Sequence, residues 1–422
     1  MPAGAVGTNW SGNYAYAAEA LHRPGSVEEL QTLVARGKPL RALGSRHSFT
    51  SIGDAPELVA LDGLPGDIVV DLAGATVSVP GHTTYAALAD ALNRHGMALH
   101  NMASLPHISV AGAVATGTHG SGNRNGNLAT AVRELEFVTA GGELVTARAG
   151  EPDFAGLVVG LGALGIVTRL RLAAEPYYEV RQSVYQGLPW DTLFARFDEI
   201  TAAGDSVSVF HRFGERTEQL WVKRRVQPDG GDDLPGDALF GAPAATAAAH
   251  PVLMGDPINC TAQLGVPGPW SERLPHFRSG FTPSSGEELQ SEFFVRRGDA
   301  VAALGALRPL APSIVPLLLV CEVRTIAADE LWLSPHQGRD SVALHFTWLR
   351  QPSEVEVVLR DIEAALAPFG ARPHWGKVFT AGAADLAPLY PRMDDFRRLR
   401  DRLDPGGTFV NAWLRQRVLD AA

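Results

Sequence analysis

The chain has 422 residues, enough for two or three domains with sizeable cores, and its 45% hydrophobic and 19% charged composition is that of a globular protein. Its 36 Lys and Arg against 46 Asp and Glu leave a formal charge of −10, with only short basic runs at 223–225 and 397–402, which argues against nucleic acid as a partner. Two cysteines, Cys260 and Cys321, cannot make a disulfide framework, and no Cys/His group has zinc-ligand spacing, so two buried thiols and no metal site are expected.

Residues 1–16 lack a basic stretch leading into an apolar one, and apolar runs such as 314–320 are too short to span a bilayer. The expectation is a cytoplasmic protein without membrane contact, with another export route left open. Ser26-Val27-Glu28-Glu29 has the form of a capping box, and Leu30, Leu33 and Val34 before Gly37 predict a short amphipathic helix. Residues 39–43 read as a buried strand delivering Gly44-Ser45-Arg46-His47-Ser48-Phe49, a polar loop with a histidine at its tip. On this motif alone, a solvated loop histidine reads as well as a functional one. Residues 58–61, 68–72 and 75–79 read as short strands, and 83–95 as a second capped helix ended by Gly96. Together they predict a subdomain rich in βαβ units.

The next stretch, 104–122, sets small residues and the hydroxyls of Ser109, Thr116, Thr118 and Ser121 around Gly112, Gly117, Gly120 and Gly122. Backbone N–H groups without Cβ interference can approach an anion closely, which is what a phosphate requires. A flexible linker would not interleave Ile108, Val110, Val114, His107 and His119 with its glycines, so a buried ligand loop is expected. Residues 133–138 and 143–147 alternate around Gly141-Gly142 and predict a hairpin. Gly160-Leu161-Gly162-Ala163-Leu164-Gly165 matches GxGxxG, but 166–172 alternates with period two and reads as a strand, whereas the dinucleotide fingerprint must open a helix. A Rossmann site is therefore rejected in favour of a tight turn packed near a ligand site.

From about Pro176 the chain turns to longer strands, including 206–210 and 220–223, while 227–251 reads as an irregular excursion, either a lid or a plain surface loop. Ser353-Glu354-Val355-Glu356 opens a capped helix that ends near 368–370, and 392–411 reads as a helix, a turn and a closing segment. Three segments carry polar groups at i, i+2 and so on one strand face: Glu322 with Arg324, His345 with Thr347, and Trp375 with Lys377, His374 facing the other way. A wet sheet surface is the ordinary meaning of such alternation. A carboxylate, a guanidinium, an imidazole, a hydroxyl and an amine instead favour a cavity wall.

Residues 41–48, Arg41-Ala42-Leu43-Gly44-Ser45-Arg46-His47-Ser48, together with 109–122, 162–168 and 404–411, resemble the flavin domain of vanillyl-alcohol-oxidase-type flavoproteins over nearly the whole chain. Within that family, Asn101-Met102-Ala103-Ser104-Leu105-Pro106-His107, Cys260 with Gly265-Val266-Pro267-Gly268-Pro269-Trp270, Leu274-Pro275-His276-Phe277-Arg278 and Arg372-Pro373-His374-Trp375-Gly376-Lys377 are similar to the alditol oxidases. The resemblance implies an α+β fold: a two-subdomain FAD-binding (PCMH-type) domain over 1–175, a substrate-binding cap over 176–370 with a large antiparallel sheet covered by helices, and a segment, 371–422, returning to the FAD domain. It implies FAD attached through the His47 imidazole to the flavin 8α carbon. Arg41, Leu43, Gly44, Ser45, Arg46, Ser48, Ser104, Ser109, Gly112, Thr116, Gly117, Thr118, His119, Gly120, Ile166, His374 and Asn411 would complete the cofactor site. Arg46 departs from the family, where glycine commonly precedes the histidine; it is either strained at positive φ or paired with a phosphate.

For substrate, the resemblance implies Ser104, Glu322, Arg324, Thr347 and Lys377, with His345 beside the flavin. The implied reaction oxidises the terminal alcohol of a linear alditol such as xylitol or sorbitol to the aldose, with hydride to flavin N5 and O2 reduced to hydrogen peroxide. Lys377 is the first candidate for the base and His345 the second. Arg324 would stabilise negative charge on the reduced flavin, Glu322 would bind hydroxyls, and Ser104 and Thr347 would orient the chain; Ala103 would leave room for O2 or merely fill space. A small polyol and O2 are the implied partners of a monomer. An aldonolactone oxidase or dehydrogenase of the same family and a carbohydrate-binding protein without activity stay open as alternatives.

Overall fold

The structure, a computed structural model, describes residues 6–227, 236–253, 255–280 and 287–420. Ser26 opens the first helix as expected: its hydroxyl accepts from the Glu29 N–H at 3.2 Å, α1 (Val27–Val34) buries Leu30 and Val34, and Gly37 turns the chain at φ +67. This helix connects β1 (Ala20–His22) to β2 (Leu40–Ala42), and β3 (Glu57–Val59) lies between them in a parallel sheet of order β1-β3-β2.

The strands β4 (Val69–Asp71) and β5 (Thr76–Pro80) do not extend that βαβ unit, contrary to expectation. Asp71 accepts from Gly74 N–H and Ala75 takes φ +46, so the connection is a tight turn, and tight turns join antiparallel neighbours. They belong to a second sheet with β6 (Val132–Val138), β7 (Leu144–Arg148) and β8 (Ile166–Ala173), in the order β4-β5-β8-β6-β7. The predicted hairpin is β6–β7, and the strand after the GxGxxG match is β8. Between these elements run α2 (Tyr85–Arg94), capped by the Thr84 side chain, and the short α3 (Val110–Ala115).

The third sheet has eight strands: β9 (Glu179–Gln186), β10 (Ser206–His211), β11 (Gln219–Arg225), β12 (Gly268–Pro269), β13 (Glu288–Arg296), β14 (Leu318–Ile326), β15 (Ser341–Leu349) and β16 (Arg372–Pro373). Their order is β12-β9-β11-β10-β14-β15-β13-β16, antiparallel throughout. Alternation gives β14 and β15 one apolar face. Cys321, Val323, Phe346 and Trp348 share a core with Leu304 of α4 (Ala300–Leu307) and Leu359 of α5 (Pro352–Leu366). Truncating Phe346 or Trp348 to alanine there costs about 3–5 kcal/mol. The helix α5 starts two residues earlier than expected, at Pro352, with Gln351 rather than Ser353 at the cap. Proline is preorganised for the first helical position, which explains the shift.

After α6 (Met393–Leu403), the Asp404 carboxylate accepts from Thr408 and Phe409 N–H groups, and the carbonyls of those two residues take Leu40 N–H and the Arg41 guanidinium. The closing segment is thereby fastened to β2. Part of the expected 227–251 excursion, 228–235, lies outside the described residues; in the rest, Ala238–Leu239 pairs with Ala242–Pro243 as a small hairpin. No helix among the described residues is long and apolar enough to cross a membrane. Cys260 and Cys321 are buried and unbridged, as expected.

Candidate active site

The polar face of the large sheet is a wall of aligned side chains. Register places Glu292 of β13 opposite His345 of β15, His345 opposite Glu322 of β14, and Glu322 opposite Phe210 of β10; Gln290 faces Thr347 in the adjacent row. Glu322, Arg324, His345 and Thr347 therefore share one face, as the i, i+2 spacing predicts. Arg324 donates to the Ser104 hydroxyl at 3.1 Å, and its guanidinium Nε lies 3.3 Å from Glu322 Oε1.

Residues 374–378 are not a strand, and here the expectation is corrected. The Lys377 N–H bonds back to His374 O, a turn that brings His374 and Lys377 to the same cavity. Trp375 points away into the core, where its indole N–H donates to Leu333 O. Gly376 at the turn ties down the His47 loop, its carbonyl accepting from Phe49 N–H at 2.8 Å.

Glu292, which sequence reasoning missed, is the hub of this wall. Its side chain is fully enclosed, with Oε2 at 2.7 Å from Lys377 Nζ and Oε1 at 3.2 Å from His119 Nε2 and 3.7 Å from both Arg324 and His345. Burial alone would raise its carboxyl, but Lys377 and His119 outweigh it and hold the group well below the ordinary carboxylate range. Lys377 is lowered by burial against the opposing pull of Glu292. Burial, then Lys377, push His345 down to about 4. Burial opposes Arg324 and His276 at Glu322, which ends well below its ordinary range.

Lys377 Nζ also lies 2.7 Å from His345 Nδ1, and His345 Nε2 lies 3.1 Å from Thr347 Oγ1. A lysine nitrogen has a proton for each of its two acceptors even when neutral; in that state its lone pair is left over. His119, Glu292 and His374 place donor atoms within 4.8 Å of one another. Glu292 of this grouping is already paired with Lys377 at 2.7 Å, and His119 and His374 turn their Nδ1 atoms to the backbone of Gly120 and Gly376.

A cavity of about 740 Å³ runs from this wall past the histidine loop to the small-residue stretch. Ser45 and Ser109 join two loops there: Ser109 N–H donates to Ser45 Oγ at 2.9 Å, and a Cβ on either Gly44 or Gly112 would meet Ser109 Oγ at 2.7 Å. Thr116, Thr118 and His119 continue the lining, with Arg41 braced between Leu161 O and Phe409 O, and Leu43, Arg46 and Ser48 beside it. His47 stacks on Trp10 with ring centroids 5.4 Å apart, and its buried Nδ1 has no hydrogen-bond partner. Burial first of all lowers this imidazole to about 4, so it is neutral.

Arg46 does take positive φ, +61, and its guanidinium donates to Val6 O at 2.6 Å and lies over the Tyr16 ring. Four expected cofactor residues stand behind the cavity wall. Gly117 turns at φ +66, and Gly120 packs so closely that a Cβ would strike Met102 O at 2.4 Å. Ile166 faces a core beside Val138, since strand alternation sends its neighbours Gly165 and Val167 to the cavity instead. Asn411 donates to the carbonyls of Ser51, Ile52 and Asp54, bracing the chain that follows His47.

Residues 18–148 match the family described as FAD binding domain, and 297–417 match that described as D-arabinono-1,4-lactone oxidase. The chain is 51% identical over 413 residues to alditol oxidase of Streptomyces sp. (strain IKD472 / FERM P-14339), spanning 97% of this chain and 98% of that one. It is 29% identical over 436 residues to L-gulono-1,4-lactone dehydrogenase of Mycobacterium tuberculosis (strain ATCC 25618 / H37Rv), spanning 97% and 98%. A crystal structure of cholesterol oxidase from B. sterolicum superposes with a TM-score of 0.77 at 16% identity, covering 97% of this chain and 96% of that one. At that identity the likeness concerns the fold.

Proposed function

The chain belongs to the alditol oxidase family of FAD-dependent flavoproteins, and on that premise we propose that its cavity oxidises the terminal CH2OH of a linear alditol such as xylitol or sorbitol, with O2 as the final acceptor and hydrogen peroxide as product. The fold is the α+β, PCMH-type FAD arrangement with a cap built on the eight-stranded sheet. One observation carries the reading: Ser104, Glu322, Arg324, His345, Thr347 and Lys377 line the same cavity as the His47 loop and the Ser45–Ser109 cradle. A polyol offers only hydroxyls, and densely placed donors and acceptors bind it while an apolar competitor would leave them unpaired.

The residues present fit FAD. Gly44, Ser45, Ser109 and Gly112 line the cavity with small residues that would let backbone N–H groups approach a diphosphate, and the unpartnered, neutral His47 nitrogen is in the protonation state that a covalent bond to the flavin methyl carbon requires. When bound, FAD would supply the hydride acceptor and the route for electrons to O2. Lys377, once neutral, accepts the hydroxyl proton, since its two N–H bonds go to Glu292 and His345 and leave its lone pair for the alcohol. His345 is engaged at both ring nitrogens, which makes it an orienting group rather than the base. Arg324 places positive charge beside the reacting end and holds Ser104, while Glu322 and Thr347 receive the remaining hydroxyls.

Acid precipitation tests the covalent link: yellow colour retained in the pellet of the wild type and lost from that of His47→Ala is the expected result, and a colourless wild-type pellet refutes it. The lactone reading draws on the match at 297–417 and is separated by offering aldonolactones beside polyols.

A further inference from the structure

Lys223 is 1% exposed and stands behind the cavity wall on β11. Its nitrogen has three partners: Leu274 O at 2.5 Å, Pro275 O at 3.2 Å and His276 Nδ1 at 3.2 Å. None of the three is a carboxylate, and the amine also lies over the Trp221 ring, 5.9 Å from its centroid, so direct ion pairing is not what the arrangement supplies. The pairing instead has a directional effect. The Glu322 carboxylate only accepts, so the ring proton sits on Nε2 and Nδ1 is left to accept from Lys223, which has an N–H to give in either charge state. That Nε2 lies 2.8 Å from Glu322 Oε1, inside the cavity. The ring itself is held edge-on by Phe210 at 5.5 Å and Trp221 at 5.2 Å between centroids.

We propose that Lys223 and His276 are positioning residues for polyol recognition: they fix the orientation of the Glu322 carboxylate so that it holds Arg324 and accepts from substrate hydroxyls. The proposal rests on the reading of this cavity as a polyol site. With Oε1 pinned by His276 on one side and faced by Arg324 Nε at 3.3 Å on the other, the carboxylate plane is set before substrate arrives. Lys223 occupies the ring's Nδ1 and also ties down the carbonyls of Leu274 and Pro275, the two residues that lead into His276. Burial lowers His276 to about 4, consistent with a neutral imidazole passing one donated hydrogen bond along the chain.

The test is anaerobic flavin reduction by xylitol, read as an apparent Kd and a limiting rate, in wild type, His276→Leu, His276→Gln and Lys223→Met. His276→Leu is expected to raise the Kd about tenfold or more, with a much smaller fall in rate, because one charge-assisted hydrogen bond is lost. Glutamine can both accept from Lys223 and donate to Glu322, so His276→Gln restores most of the affinity. Lys223→Met shifts Kd in the same direction by less, since the ring stays but loses its donor at Nδ1. Unchanged Kd in His276→Leu, or Kd and rate worsening together without rescue by glutamine, overturns the proposal while leaving the polyol reading intact. A wild type that no linear polyol reduces overturns both. Should Lys223→Met fail to fold, the His276 pair decides the matter alone.

Discussion

Lys377 Nζ lies 2.7 Å from Glu292 Oε2, and this carboxylate is fully enclosed while the lysine is 14% exposed toward the cavity. The pair sets when the amine can act as a base. Burial lowers Lys377 and Glu292 opposes it, so the limiting rate of polyol-driven flavin reduction should rise with pH, with an inflection below the ordinary lysine value of about 10.4. In Glu292→Gln the opposing charge is gone, and Arg324 lowers the amine further. The inflection then moves to lower pH, whereas Glu292→Asp keeps it near that of the wild type. An inflection that stays put or moves up in Glu292→Gln rules out control of the base by this carboxylate.

Replacing Lys377 by Met should leave FAD bound but cut the rate of reduction by xylitol about 10²–10⁴-fold, the usual worth of a general base. His345→Gln should cost less than about tenfold, because both ring nitrogens orient neighbours rather than reach substrate. Stopped-flow reduction of both variants at equal flavin content ranks the two groups. The opposite ranking would transfer the base to His345.

Arg46 separates backbone strain from side-chain contacts. Both Arg46→Gly and Arg46→Ala lose the bond to Val6 O and the contact with Tyr16, but only glycine is at ease at φ +61. Arg46→Gly should therefore be more stable than Arg46→Ala by about 1 kcal/mol in denaturant titrations. Equal stabilities would mean that the loop relaxes out of the left-handed region.

Lys223 predicts a slope of stability with pH. Burial lowers it to about 7, and the unfolded chain returns it to about 10.4, so between these values the unfolded state holds the extra proton and stability rises with pH. The wild type should gain on Lys223→Met by up to about 1.4 kcal/mol per pH unit across that window, and not below it. Urea unfolding of both proteins at about pH 6, 7.5 and 9 measures the difference. A difference independent of pH would mean that Lys223 stays charged in the folded protein.

Much of this site is legible in the sequence because strand alternation is a strong signal. The spacing of Glu322 with Arg324 and of His345 with Thr347 puts each pair on one face, and the structure places them in one cavity. Glu288, Gln290 and Glu292 show the same spacing in β13 and line the same cavity, so the signal for Glu292 was present in the same form. What alternation could not convey is which charges meet, because that depends on register across β13, β15 and β14. Lys377 was found for the right cavity by the wrong local geometry: a one-turn return, not a strand, joins it to His374. The misplacement of β4 and β5 has a similar cause. Short strands declare themselves by composition, but their sheet is decided by the turn between them.

The most direct test of the central claim is anaerobic mixing of the flavin-loaded wild type and Lys377→Met with xylitol while the flavin's visible absorbance is followed. The wild type should bleach within the mixing experiment and the variant, at the same flavin content, should stay oxidised. Bleaching of both alike, or of the wild type by an aldonolactone and by no linear polyol, would contradict the account.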